Sequence, residues 1–122
     1  MLEVFFSSLV NVFSLSQLVP MSIGVLVGIV GAAIPGVTVT MTVILVLPFT
    51  FGMTTLQGLT TMTGVYIGGM AGGLITACLL GIPGTPSSIA TTFDGFPMAR
   101  RGEQGRALWL GIWSSFIGGL IA

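Results

Sequence analysis

Residues 81–97 read GIPGTPSSIATTFDGFP, and this stretch interrupts a long apolar sequence in a way that decides the fold. Pro83 and Pro86 flank Gly84 and Thr85, and a helix does not continue through such a sequence because each proline lacks a backbone donor. Hydroxyl side chains follow this break, at Ser87, Ser88, Thr91 and Thr92. A second break of the same kind, at Pro35-Gly36, is followed by Thr38, Thr40 and Thr42. The sequence therefore predicts helices broken at two Pro-Gly points, each with hydroxyls beside it.

The composition around these breaks is that of a membrane protein. Hydrophobic residues make up 53% of the 122 residues and charged residues 5%, whereas a soluble domain carries roughly 25% charged residues. From Val4 to Phe93 the ionisable side chains are Tyr66 and Cys78. A chain of this length cannot bury that much apolar surface in water, so we predict an all-α, polytopic integral membrane bundle.

Several functional classes are excluded by the same composition. The chain has no histidine and one cysteine, so it offers no histidine base, no metal-ligand spacing and no disulfide framework. A net charge of zero disfavours a nucleic-acid partner. We therefore expect no enzyme activity, no bound metal and no resident cofactor.

Apolar runs separated by breaks define the predicted segments. Residues 1–17 mix apolar and polar side chains and predict an interfacial helix, with a soluble tail as the alternative. Residues 18–122 form the predicted membrane domain, which we expect to continue beyond the last residue. The run at 37–47 is too short to span and is typical of a re-entrant or broken segment. The other apolar runs, at 18–34, 56–82 and 107–122, are predicted spans. Residues 100–106 are expected to form a loop or surface turn, which its three arginines place in the cytoplasm.

Glycines recur at four-residue spacing within two of these spans. Such strips let helix backbones approach closely, and we interpret them as packing surfaces rather than ligand sites. The packing glycines are Gly24, Gly28, Gly64, Gly68 and Gly72.

The breaks are the strongest candidates for a binding site. A helix interrupted inside a membrane leaves free N–H groups, which attract anions, and free C=O groups, which attract cations. The alternative is a pair of ordinary capped helix ends at the membrane surface. Asp94 is open to two interpretations as well, either an intramembrane functional carboxylate or a capping residue in an Asp94-Gly95 turn.

Longer motifs run through the same residues. They are Gly24-x-x-x-Gly28 with Ile34-Pro35-Gly36, Leu47-Pro48-Phe49-Thr50-Phe51-Gly52-Met53, Gly64-x-Tyr66-x-Gly68, Ile82-Pro83-Gly84-Thr85-Pro86, and Ala90-Thr91-x-x-Asp94-Gly95-x-Pro97-Met98-Ala99 with Gly102. Over about residues 18–110 the chain resembles the large membrane subunit of bacterial tripartite tricarboxylate transporters, the TctA type. Two positions depart from that pattern, since Leu74 replaces a usual Ser and Gly81 replaces a common Asn. If either side chain touched solute or ion, substrate preference or coupling would differ.

The resemblance implies properties that composition does not. A TctA-type subunit is a multi-pass protein of the bacterial inner membrane, with two related halves of opposite topology, each containing a broken or hairpin element. Its partners are a small membrane subunit and a periplasmic solute-binding protein that delivers a carboxylate such as citrate. Uptake is driven by a sodium or proton gradient.

We accordingly predict part of a cation-coupled carboxylate permease, with a non-transporting membrane protein assembled through its glycine strips as the alternative. The proposed roles are N–H donation to carboxylate, hydroxyl contacts to solute and carbonyl contacts to a cation. The candidate substrate- and ion-binding residues are Pro83, Gly84, Thr85, Pro86, Ser87, Ser88, Thr91, Asp94, Gly36 and Thr38.

Overall fold

The computed structural model describes all residues, 1–122, and its regular structure is entirely helical, which confirms the predicted all-α class. Two helices, the second and the fourth, are long and apolar enough to cross a membrane. The helices are α1 (Leu2–Val12), α2 (Leu15–Ala32), α3 (Val39–Thr50), α4 (Thr55–Leu80), α5 (Ile89–Arg100) and α6 (Gln104–Ile121), with a 3₁₀ turn at Pro86–Ser88 before α5.

The second and fourth helices pack in parallel, backbone against backbone. A Cβ atom on Gly24 would overlap the carbonyl oxygen of Thr61, and one on Gly72 would lie 2.5 Å from that of Ile29. The residue numbers of the contacting pairs increase together along both helices, so the two helices run parallel. All the glycines that the sequence assigned to packing lie in this interface, namely Gly24, Gly28, Gly64, Gly68 and Gly72.

The start of α2 differs from the predicted span. The helix begins at Leu15 rather than at residue 18, and Pro20 therefore lies beyond its first turn. A proline there deprives the carbonyl oxygen four residues earlier, on Ser16, of its helical donor. The side-chain amide of Gln57 donates to that oxygen at 3.5 Å and to the Ser16 hydroxyl at 3.4 Å. This tertiary bond explains why the helix tolerates Pro20 and extends toward the N-terminus.

The third helix runs antiparallel to α4 and covers only part of it. Val39, at its start, is the nearest side chain to Gly69, and Thr50, at its end, lies beside Gly58. At a rise of about 1.5 Å per residue its 12 residues extend about 18 Å. The Pro35-Gly36 break therefore lies short of the C-terminal end of α4.

After α4 the chain turns back along that helix before it rises again. Gly81 adopts the left-handed conformation (φ 69°) that ends α4. The returning segment brings Gly84 and Thr85 against Gly73, and α5 then rises so that Gly95 meets Cys78. The second break consequently reaches a level seven residues, or about 10 Å, before the end of α4.

The Asp94-Gly95 turn interpretation is wrong, because both residues lie within α5. An Asp-Gly pair has low helix propensity, but tertiary packing overrides it here. A Cβ on Gly95 would lie 2.6 Å from the Cys78 sulfur, so only glycine lets α5 approach α4 this closely.

The last helix begins earlier than expected. The predicted loop 100–106 is reduced to a turn at Arg101–Glu103, with Gly102 at φ 86°, and Gln104 already belongs to α6. The sixth helix packs back against α4, where Gly111 meets the Leu74 side chain. At the other end of the chain, α1 has no buried residue, so its interfacial position stays a prediction.

Candidate functional site

Residues that lie at or directly after the two Pro-Gly breaks line one cleft. Its volume is about 310 Å³, and it opens between the start of α3, the 3₁₀ turn and one side of α4. The lining residues are Thr38, Val39, Thr40, Tyr66, Met70, Gly84, Thr85, Pro86 and Ser87. Segments that are about 45 residues apart in sequence thus form a single site.

One wall of the cleft is the N-terminus of α3. The Thr38 hydroxyl caps the helix by accepting a bond from the Met41 N–H at 3.2 Å. The first intrahelical bond runs from the Thr42 N–H to the Thr38 carbonyl at 3.1 Å. The N–H groups of Val39 and Thr40 precede that bond and have no partner in the chain.

The opposite wall is the N-terminus that leads into α5. The Thr85 hydroxyl accepts from the Ser88 N–H at 3.2 Å, and the Ser88 hydroxyl accepts from the Thr85 N–H at 3.1 Å and donates to its carbonyl at 2.8 Å. Pro86 has no N–H, and the N–H of Ser87 has no partner in the chain. Ser87 is exposed, with its hydroxyl 3.1 Å from that of Thr85. The wall thus offers one free N–H and one accessible hydroxyl.

No charged side chain lines the cleft, but the helix N-termini that open into it favour negative charge. Aligned peptide dipoles give a helix N-terminus roughly half a positive charge. The N-termini of α3 and of the segment that leads into α5 both open here, and free N–H groups at such ends are ready anion ligands. The arrangement can therefore hold an anion through N–H groups and hydroxyls without a buried lysine or arginine.

The candidate residues divide into three groups. Five line the cleft: Thr38, Gly84, Thr85, Pro86 and Ser87. Ser88 is buried behind it as a cap, while Pro83 and Gly36 are exposed beside the breaks. Thr91 and Asp94 lie elsewhere, in a second cleft of about 430 Å³ that α5 forms with Leu74 of α4 and with Ser114 and Ser115 of α6.

Sequence reasoning missed four cleft residues, namely Val39, Thr40, Tyr66 and Met70. Thr40 belongs to the hydroxyl run after the first break, so its position carried a signal. Tyr66 and Met70 are four residues apart on α4 and therefore share a face. The sequence does not reveal that this face of α4 lies beside the breaks, because that depends on how α3 and the 3₁₀ turn pack against it.

Both departures from the expected motifs lie outside the cleft lining. Gly81 holds the left-handed C-cap of α4 at φ 69°, a conformation that asparagine also adopts more readily than most residues. Leu74 packs on Gly111 of α6 and lines the second cleft. Neither side chain forms part of the two cleft walls that contain the helix N-termini.

Comparison with known proteins agrees with the motifs. Residues 18–122 match the tripartite tricarboxylate transporter TctA family. Over 100 residues, 82% of the chain, it is 39% identical to a protein from Agrobacterium vitis described as an uncharacterised 52.8 kDa protein in the TAR-I ttuC' 3' region. The chain spans about a fifth of that relative's length, 20%. No solved structure matches the chain.

Proposed function

The chain belongs to the tripartite tricarboxylate transporter TctA family, and from this premise we propose that it forms part of the permease subunit of a cation-coupled carboxylate uptake system. The observation that carries the proposal is the cleft in which two helix N-termini face each other without a charged side chain. A tricarboxylate such as citrate has the charge and the acceptor oxygens that these groups bind.

The proposed binding mode follows from the unpaired donors. One carboxylate of the solute accepts from the N–H groups of Val39 and Thr40, and another accepts from the N–H and hydroxyl of Ser87. Hydrogen bonds to ionised groups are about twice as strong as neutral ones. Because the donors are dipoles rather than full charges, the solute is held firmly enough to be selected and loosely enough to be released.

The depth of the cleft favours transport over surface binding. If α4 crosses the bilayer, a cleft about 10 Å before its C-terminal end lies within the membrane. There, unpaired backbone groups are tolerated only where they line a cavity. We propose that α3 and the returning segment before α5 are the broken or re-entrant elements of one half of an inverted repeat, and that a second, related half completes the site.

The remaining assignments rest on family membership. We propose a multi-pass protein of the bacterial inner membrane that acts with a small membrane subunit and a periplasmic solute-binding protein. Sodium or proton coupling would supply the free energy for uptake. The turn between α5 and α6, with Arg100, Arg101 and Arg106 beside it, would face the cytoplasm.

The alternative of a non-transporting protein assembled through its glycine strips has less support. Those glycines pack α2 on α4 within this chain, so they are not free to receive a partner subunit. A surface role for the breaks also fits poorly, because both breaks lie beside Gly72 and Gly73, about 10 Å before the C-terminal end of α4.

Uptake of radiolabelled citrate by the full-length permease tests the proposal. The permease and its partner subunits are reconstituted in liposomes, and uptake is followed with and without an inward sodium gradient. Ser87→Ala removes a cleft hydroxyl, and we expect KM to rise about tenfold or more, as for the loss of one bond to an ionised group.

The matched control is Ser22→Ala on α2. Its hydroxyl is exposed, donates to the Leu18 carbonyl at 2.7 Å and lies outside the cleft, so its kinetics should equal those of the wild type. Equal KM values for the two variants would show that the cleft does not bind the solute during uptake. An intact complex that takes up no carboxylate under any ion gradient would favour the non-transporting alternative.

A further inference from the structure

Tyr66 is the single tyrosine of the chain, and its hydroxyl makes no hydrogen bond within it. Other hydroxyls on α4 donate to a carbonyl oxygen three or four residues earlier in the helix, namely those of Thr60, Thr61, Thr63 and Thr76. A phenol hydroxyl lies at the far end of an aromatic ring and does not reach the backbone of its own helix. Tyr66 is 55% exposed and lines the cleft, so its hydroxyl is free to bind a partner from outside α4.

The position of Tyr66 along α4 is unusual for a tyrosine in a membrane helix. It follows Thr55 by 11 residues and precedes Leu80 by 14, so about 17 Å and about 21 Å of helix separate it from the two ends. Tyrosines are enriched at the membrane interfaces, where water satisfies the hydroxyl. If α4 crosses the bilayer, Tyr66 lies near its middle, where an unpaired hydroxyl is costly unless a cavity supplies its partner.

Tyr66 and Met70 form the side of the cleft that belongs to α4. Tyr66 lies three residues before Gly69, against which the start of α3 packs. Met70 lies three residues before Gly73, against which the second break packs. Three residues correspond to about 300° around a helix, so both side chains project about 60° to the same side of these glycines. This side of the cleft therefore offers one hydrogen-bonding group, the phenol, beside one apolar side chain.

The phenol is additional to the donors that the proposed binding mode assigns to two solute carboxylates. Those donors are the N–H groups of Val39 and Thr40 on one wall and the N–H and hydroxyl of Ser87 on the other. A phenol donates to a carboxylate oxygen and also accepts from an alcohol. We propose that Tyr66 is a specificity-determining residue, which selects dicarboxylates that carry a third oxygen-bearing group between their two carboxylates.

The selection follows from what an unsubstituted dicarboxylate leaves unpaired. A site that hydrogen-bonds an oxygen of its ligand discriminates against the analogue without that oxygen, because a polar group of the site then has no partner. Tyr66 contributes one such bond, and the loss of one bond in a partly exposed site weakens binding about tenfold. The inference deepens the proposed transport function and rests on it, since both concern the same cleft.

Four acids with the same five-carbon dicarboxylate chain test this selectivity. Glutarate has no substituent on its central carbon, 3-hydroxyglutarate has a hydroxyl, tricarballylate has a carboxylate, and citrate has both. The full-length permease is purified with its small membrane subunit and without the solute-binding protein, so that the permease alone sets the selectivity. Each acid then competes with radiolabelled citrate for binding. We expect the wild type to bind glutarate at least about tenfold more weakly than the three substituted acids.

Tyr66→Phe keeps the ring and removes only the hydroxyl. We expect this variant to bind the substituted acids about tenfold more weakly than the wild type does, and glutarate within about threefold. The matched control is Thr63→Val on the same helix, three residues earlier. Its hydroxyl donates to the Leu59 carbonyl at 2.8 Å and lies outside the cleft, so the control should leave all four affinities unchanged.

Three results would overturn the role of Tyr66. They are an equal loss of affinity for all four acids in Tyr66→Phe, no loss for any of them, and a wild type that binds glutarate as tightly as the substituted acids. A lower free energy of unfolding with unchanged binding would show that the phenol bonds another helix of the permease instead.

Citrate uptake by the complete reconstituted system separates this inference from the transport proposal. Uptake that persists while the four acids show no Tyr66-dependent selectivity would refute the role of Tyr66 alone. A system that neither binds nor takes up any carboxylate would refute the proposed function.

Discussion

Gly72→Ala measures how tightly the backbones of α2 and α4 are packed. The added Cβ would lie 2.5 Å from the Ile29 carbonyl oxygen and 3.1 Å from its Cα, whereas a relaxed carbon–oxygen contact is about 3.3 Å. The obstacle is backbone, so α2 must move by about 0.8 Å, and a gap of that size forfeits a quarter to a half of each van der Waals contact along the interface. We expect the free energy of unfolding to fall by about 1–3 kcal/mol.

Equilibrium unfolding of the full-length protein in mixed micelles, titrated with a denaturing detergent, gives this free energy. Gly118→Ala in α6 is the control, because nothing lies within 4 Å of its Cβ position and a helical glycine-to-alanine change without a clash is neutral or stabilising by up to about 1 kcal/mol. The changes in the free energy of unfolding that the two variants cause should therefore have opposite signs or clearly different sizes. Equal stabilities would refute direct backbone contact between α2 and α4.

Three further predictions concern side chains whose roles the structure separates. Ser88→Ala should lower the free energy of unfolding by about 1–2 kcal/mol, because it breaks the reciprocal cap with Thr85; a fall in citrate affinity at unchanged stability would contradict this role. Gln57→Ala should lower the free energy of unfolding by about 1 kcal/mol. The loss should be smaller in a Pro20→Ala background, because the N–H of residue 20 then donates to the Ser16 carbonyl. A double-mutant cycle without coupling between the two positions would show that Gln57 does not replace the donor that Pro20 removes. Cys78 is 0% exposed, so in a protein without other cysteines it should react with maleimide only after detergent unfolds the protein. Rapid labelling of the native protein would contradict the burial of this side chain.

The broad fold could be predicted because local chemistry determines it. Pro35-Gly36 and Pro83-Gly84 had to interrupt helices, and the structure has no helix between Ala32 and Val39 or between Leu80 and Pro86. Apolar composition and the lack of charge likewise predicted an all-helical bundle. These features depend on backbone donors and on solvation, which a sequence displays directly.

The residues that line the cleft could be predicted only in part, because residues that are adjacent in sequence point to different surroundings in the structure. Ser87 and Ser88 are adjacent, but the 3₁₀ turn exposes the first and buries the second as a cap. Thr91 and Asp94 follow the same break, but α5 carries them toward α6 and the second cleft. Whether a residue near a break faces the cleft depends on the helix that begins there, and for α5 a turn at Asp94-Gly95 was one of the two interpretations of the sequence.

The level of the cleft follows from the placement of two adjacent glycines on α4. Gly72 contacts Ile29 in the last turn of α2, so the break that ends α2 lies near the level of Gly72 along α4. Gly73 points about 100° away around the same helix, and there it receives the second break, since its Cβ position is 2.8 Å from the Thr85 methyl group. A side chain on either glycine would displace one break and leave the other in place. The prolines therefore determine that the helices end, but the Gly72-Gly73 pair determines that they end together.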